Sequence, residues 1–163
     1  MKEKIIVTGG CGYIGSHTVI ELIENKHQVL ILDNLSNSSE DSLDKIEKIT
    51  GIRPGFIKLD LTDLEQTLAV FKKHKDAKAV IHFAAHKAVG ESVSDPLKYY
   101  QNNLYTLINT LKAQRENGIN NFIFSSSATV YGAPDQLPVT EKSKLKRSSS
   151  PYGNTKKVGE EIL

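Results

Sequence analysis

Tyr152 and Lys156 stand four residues apart in the stretch Ser150-Pro151-Tyr152-Gly153-Asn154-Thr155-Lys156. On a helix that spacing puts the phenol and the ammonium on one face. A cation held there favours phenolate over phenol, and a phenolate poised this way is a general base for an alcohol. Ser125-Ser126-Ser127-Ala128-Thr129 ends an apolar run with a cluster of hydroxyls that could hold a substrate oxygen. Turn formation is the plainer use of such residues, and an isolated Tyr/Lys pair is often surface decoration, so the chemistry depends on what accompanies them. His82 and His86 invite a metal or acid–base reading, but no Cys, His or carboxylate set at ligand spacing goes with them, and no metal site is expected. Alternation places His82 inside a strand. Cys11, the only cysteine, sits in a turn that needs a small side chain and is not read as a nucleophile.

The company these residues keep lies near the start. A β-branched run, Lys4 to Thr8, is followed by Gly9, Gly10, Gly12 and Gly15, and a helical pattern opens at Tyr13-Ile14. Strand, glycine turn and helix in that order suit a dinucleotide cradle, with a plain glycine-rich turn as the blander reading. One glycine takes a backbone angle closed to other residues, one lets the main chain approach a pyrophosphate, and Gly15 lets the helix pack close to the strand. The phosphates then rest on N–H groups at the positive end of the helix. Asp33, at the end of the next apolar run and about 20 residues after the glycines, is placed to accept from both hydroxyls of an adenosine ribose. A carboxylate there repels a 2′-phosphate, which favours NAD over NADP; the plainer role for Asp33 is a turn cap.

Strand and helix signals alternate along the chain. Strands are expected at Lys4–Thr8, Gln28–Leu32, Phe56–Leu59, Ala79–Phe83 and Asn121–Ser125. Helices are expected from Tyr13 to Asn25, from a Ser39 N-cap to Thr50, from Asp63 to His74, from Asp95-Pro96 to Asn117, and onward from about Tyr152. This pattern predicts an α/β fold, a Rossmann-like doubly wound parallel sheet with its strands ordered 3-2-1-4-5. Ligands in such sheets sit at the carboxyl ends of the strands. There Asp60-Leu61 offers an acceptor and an apolar surface for an adenine, with a helix cap as the rival role for Asp60. Phe83-Ala84-Ala85-His86-Lys87 offers room for a flat cofactor and a lysine that could reach a ribose or phosphate, a solvated loop lysine being the plainer reading.

With 163 residues, 21 Lys+Arg against 19 Asp+Glu and a net charge of +2, nothing points to a nucleic-acid or membrane partner. No apolar stretch is long enough to span a bilayer, and no signal peptide is visible. One cysteine fits a reducing compartment, so a cytoplasmic protein is expected.

Together, Thr-Gly-Gly-x-Gly-x-x-Gly, Ser-Ser-Ser-Ala-Thr-Val-Tyr-Gly and Tyr-x-x-x-Lys resemble the extended short-chain dehydrogenase/reductase group. Longer runs are similar to its UDP-glucose 4-epimerase family: Gly12 to His17, Asp33 to Ser38, Lys87 to Val93, Tyr99 to Asn103 and Asn121 to Gly132. The resemblance implies tightly held NAD contacted by Gly9, Gly12, Tyr13, Ile14, Gly15, Asp33, Asn34, Leu35, Ser36, Asn37, Ser38, Asp60, Leu61, Phe83, Ala84, Ala85, His86, Lys87, Asn102, Ser125, Tyr152 and Lys156. It implies interconversion of UDP-glucose and UDP-galactose through a 4-keto sugar, with Tyr152 taking the 4-hydroxyl proton, Ser127 bonding the 4-oxygen, Thr129 assisting and Lys156 holding the phenolate. Lys87, Ser127 and Tyr152 would meet the substrate. Related dehydratases carry an Asp-Glu pair where this chain has Ala128-Thr129, which disfavours dehydration.

Members of that family are about twice as long. The expectation is therefore an amino-terminal NAD-binding domain over residues 1–163, with the later strands and the carboxyl-terminal substrate domain missing and activity impaired. The competing readings are a non-catalytic or degenerate NAD-binding fragment and another sugar-nucleotide epimerase. Such a sheet would end in an exposed edge, so self-association, as a homodimer or otherwise, or marginal stability is expected; the resemblance implies a dimer through the long helix and the Tyr152 helix, retained in part. Thr106 stands where the family often has glycine, which would alter close packing of the long helix.

Overall fold

The computed structural model describes residues 3–163. Its strands are β1 (Lys4–Thr8), β2 (Gln28–Asp33), β3 (Gly55–Lys58), β4 (Ala79–His82) and β5 (Asn121–Phe124), all parallel and ordered β3-β2-β1-β4-β5. The helices are α1 (Tyr13–Glu24), α2 (Asp41–Thr50), α3 (Leu64–Lys73), α4 (Val89–Ser94), α5 (Pro96–Glu116) and α6 (Pro151–Ile162), with a short 3-10 helix at Ala128–Tyr131. The expected sheet is therefore present in the expected order.

Contacts divide the chain into two compact units, Met1–Ala84 with Thr106–Ser125 and Ala85–Tyr105 with Ser126–Leu163. The first holds the sheet. Because side chains alternate along a strand, its central strands feed two cores. Ile5, Val7, Val29, Ile31 and Ile81 pack with Val19 and Ile23 of α1 and Leu43 and Ile46 of α2. Ile6, Leu30, Leu32 and Val80 pack with Phe71 of α3 and Ala113 of α5. A strand buried on both faces must be apolar throughout, which is why these runs read so clearly. The second unit contains α4, the first half of α5, the 3-10 helix and α6.

Several boundaries differ from expectation. Helix α2 takes Glu40 as its N-cap rather than Ser39, whose hydroxyl instead accepts from the Asp41 N–H at 3.2 Å. Strand β3 is displaced one residue toward the amino terminus, and β4 and β5 stop one residue early, at His82 and Phe124. Helix α4 and the 3-10 helix were not expected, being too short to show a period. Thr106 is accommodated: it is buried, its hydroxyl lies 3.4 Å from the Ala84 carbonyl, and its own carbonyl accepts from Thr110. Among the described residues no helix is long and apolar enough to cross a membrane.

Candidate functional site

In the first unit, β1 delivers the chain into the glycine turn. Gly9 has φ +68°, and a Cβ there would lie 2.7 Å from the Ala84 backbone nitrogen. At Gly15 a Cβ would lie 2.3 Å from the Gly9 carbonyl oxygen. Gly15 thus permits close approach of α1 to the turn itself, rather than to the strand as expected. The N-cap of α1 is Gly12, no side chain caps this helix start, and its first turn has no acidic residue. The main-chain donors of the first turn are therefore left to a ligand or solvent.

Asp33 is 8% exposed and holds the turn in place. One carboxylate oxygen accepts from the Cys11 N–H at 3.0 Å; the other accepts from the Leu35 N–H at 2.9 Å and the Ser38 hydroxyl at 3.0 Å. A carboxylate has about four acceptor positions. These three bonds leave the carboxylate room to accept from a further donor. Leu35 itself sits at φ +62°, uncommon for a leucine, in the loop that the Asp33 carboxylate organises. Cys11 is 3% exposed, and burial, then the Asp33 and Glu40 charges, push its thiol up to about 12, so it is no nucleophile at neutral pH.

The other strand ends of this unit are more ordinary. Asp60 is exposed and one of its oxygens caps a turn through the Thr62 N–H and hydroxyl. Leu61 does not offer an apolar surface: its side chain is in the second core, so a ligand can meet only its main chain. His82 is stacked on Phe122 and Phe124, with centroids 5.9 and 6.2 Å away, and its Nδ1 lies 2.8 Å from the Thr8 hydroxyl. That makes it a core residue.

In the second unit, Ser150 caps α6 by accepting from the Gly153 N–H at 3.1 Å, and Pro151 occupies the first turn. Tyr152 is partly exposed, while Lys156 is 5% exposed, and burial lowers its ammonium to about 8. Ser127 caps the 3-10 helix: its Oγ accepts from the Thr129 N–H at 3.3 Å and from the Thr129 hydroxyl at 3.0 Å. Gly153 brings α6 onto this segment, since a Cβ there would come within 2.9 Å of the Thr129 Oγ1. Ser127, Thr129 and the first turn of α6 are thereby brought together. Further along, the Ser126 hydroxyl bonds the Glu160 carboxylate.

Asn103 was not singled out. It is buried, and its amide bonds the main chain of His86 and the Thr155 hydroxyl, while Asn102 donates to its carbonyl oxygen at 3.0 Å. The signal available was its place one turn after Tyr99, on the buried face of α5. Lys87 is exposed.

Residues 5–163 match the NAD dependent epimerase/dehydratase family. The chain is 50% identical over 160 residues to UDP-glucose 4-epimerase of Erwinia amylovora, covering 98% of this chain and 47% of that protein. It is 49% identical to the Bacillus subtilis enzyme of the same name, covering 98% and 46%. A crystal structure of UDP-glucose 4-epimerase from Bifidobacterium longum, in complex with NAD+ and UDP, superposes with a TM-score of 0.94 at 43% identity, covering 98% of this chain and 47% of that one. The chain spans about half the length of the curated relatives it matches. With its glycine turn, its acidic strand end and its Tyr-x-x-x-Lys helix, the chain belongs to the NAD dependent epimerase/dehydratase family.

Proposed function

We propose that this chain is the cofactor-holding and proton-transferring part of a UDP-glucose 4-epimerase that interconverts UDP-glucose and UDP-galactose. The observation that carries the reading is the buried Lys156 one helical turn beyond Tyr152, on a helix whose Gly153 packs against the Thr129 that bonds Ser127. NAD fits the first unit: the turn is a cradle that a Cβ at Gly9 or Gly15 would fill, and Asp33 is an acceptor that disfavours a 2′-phosphate. Gly9, Gly12, Tyr13, Ile14 and Gly15 would hold the diphosphate. Asp33 and the loop Asn34 to Ser38 would hold the adenosine ribose, with Asp60 and the main chain of Leu61 beside the base. Phe83, Ala84, Ala85, His86, Lys87, Asn102, Ser125, Tyr152 and Lys156 would complete the contacts. When bound, NAD supplies a reversible hydride acceptor.

The chain's own work is proton handling. Tyr152, as phenolate, takes the proton from the sugar 4-hydroxyl and later returns it. Lys156 supplies the positive charge that keeps the phenolate available, at the cost of its own desolvation. Ser127 donates to the 4-oxygen while Thr129 donates to Ser127 and fixes its rotamer. The 4-keto sugar must turn over before reduction from its other face, so these residues have to serve both epimers.

The long helix and the Tyr152 helix would also support self-association. Leu97 is 78% exposed, and Tyr105, two turns further along α5, is exposed as well.

Two measurements test the function. Calorimetry on the 163-residue chain should find NAD bound and NADP bound more weakly. In the full-length protein, Tyr152→Phe should lower kcat for UDP-galactose by at least about 100-fold, with UDP-N-acetylgalactosamine as a second substrate to mark the sugar accepted. Binding of neither dinucleotide, or an unchanged kcat in Tyr152→Phe, would overturn the reading.

A further inference from the structure

The segment from Gly132 to Ser149 joins the 3-10 helix to α6, and so links the stretch bearing Ser127 and Thr129 to the turn bearing Tyr152. It holds Lys142, Lys144, Lys146 and Arg147 against Asp135 and Glu141. That excess is the whole of the chain's net charge of +2: of its 21 Lys and Arg and 19 Asp and Glu, the rest of the chain keeps 17 of each. A run of like charges is ordinarily a solvated face. Here the imbalance of the entire chain is collected in one connection, between two stretches of the proton-transfer site.

Only one of the four cations is neutralised. Lys146 Nζ lies 2.5 Å from the Asp135 carboxylate, while Lys142, Lys144 and Arg147 are exposed and make no ion pair among the described residues. Nor is the connection a loose tether. A Cβ at Gly132, where φ is +60°, would lie 2.4 Å from the Arg147 carbonyl oxygen, so the two ends of the loop touch. The Ser143 N–H donates to the Thr140 carbonyl at 2.9 Å and the Thr140 N–H to the Ser143 hydroxyl at 3.0 Å, closing a turn around Lys142. Ser148, next to Arg147, is bonded to the main chain of Ser150, and its Oγ packs where a Cβ on Gly153 would fall. Arg147 is thus one residue from a side chain seated on the first turn of α6.

Fixed charges of one sign beside a site raise the local concentration of a ligand of the other sign and hasten its arrival. The diphosphate of a sugar nucleotide is such a ligand. We propose that Lys142, Lys144 and Arg147 form an electrostatic approach to the Tyr152 site, which draws in that diphosphate and speeds its association. This rests on the function proposed above. The loop hastens arrival without seating the ligand, so its effect is a rate that salt removes.

The probe is methylanthraniloyl-UDP, a fluorescent nucleoside diphosphate, mixed with the full-length protein in stopped flow. Lys142→Gln, Lys144→Gln and Arg147→Gln combined should lower the association rate constant by about 10-fold at about 20 mM salt. At about 0.5 M salt the two proteins should agree within about 2-fold, and dissociation should change little at either. A control removes the same charge elsewhere: Lys72→Gln, Lys73→Gln and Lys75→Gln, all exposed and preceding β4 at the amino end of the sheet, should leave association nearly unchanged.

Association that is no slower in the loop variant at low salt overturns the proposal. A deficit that persists at high salt does so too, since it marks direct contact or a misfolded loop. An equal deficit in the control assigns the effect to net charge and rejects the loop. Retardation of a single-stranded oligonucleotide by the wild type and not by the loop variant, with nucleotide association equal in both, gives the loop to nucleic acid instead. A wild type that does not bind the probe removes the functional reading; a probe bound at a rate indifferent to the loop leaves that reading standing and removes only the steering.

Discussion

Burial brings the Lys156 ammonium down to about 8 from an ordinary value of 10.5, so this side chain destabilises the fold in order to be charged at neutral pH. Between about pH 8 and 10.5 the unfolded chain holds a proton that the folded chain has released, and there stability rises with pH. The total is about 3 kcal/mol; below pH 8 the cost is constant, and above 10.5 it is gone. Lys156→Met should therefore gain stability relative to wild type at pH 7 and lose that advantage by pH 10.5, while losing epimerisation. Urea unfolding of both proteins at the two pH values measures it; a difference that does not change with pH would reject the idea.

At the scale of elements, α6 is placed by Gly153. Alanine normally improves a helix over glycine by about 1 kcal/mol, yet here the added Cβ would lie 2.0 Å from the Ser148 Oγ and 2.9 Å from the Thr129 Oγ1. Ser148 cannot rotate without leaving the main chain of Ser150, nor Thr129 without leaving Ser127. Gly153→Ala should then destabilise by about 1–3 kcal/mol and misplace Ser127, and a thermal melt showing a more stable variant would contradict this. The strands and their order were legible because each central strand is buried on both faces and must be apolar throughout. The glycine turn was legible because backbone clashes leave few alternatives at Gly9 and Gly15. Helix α4 was not, since six residues, Val89 to Ser94, hold no readable period. Leu61 was misread because its side-chain direction is set by alternation at a strand end that sequence locates only to within a residue or two. The role of Asn103 and the desolvation of Lys156 depend on partners distant in sequence, which periodicity cannot supply.

For the whole molecule, the sheet ends at β5, where Ile123 is exposed on an edge strand, and α5 carries the exposed Leu97 and Tyr105. Apolar groups at an unpaired edge or along a helix stripe favour association. Light scattering on the 163-residue chain should find more than a monomer, and Leu97→Glu with Tyr105→Glu should shift the mass downward. A wild-type monomer at all concentrations would refute it.

Cys11 gives the molecule a built-in reporter. It is the only thiol in the chain, walled in where the phosphates would be gripped and held protonated. A thiol-specific reagent can reach it only when that wall opens. Its labelling rate becomes a clock for breathing of the cradle, and a dinucleotide seated there would slow the clock with no probe engineered into the protein.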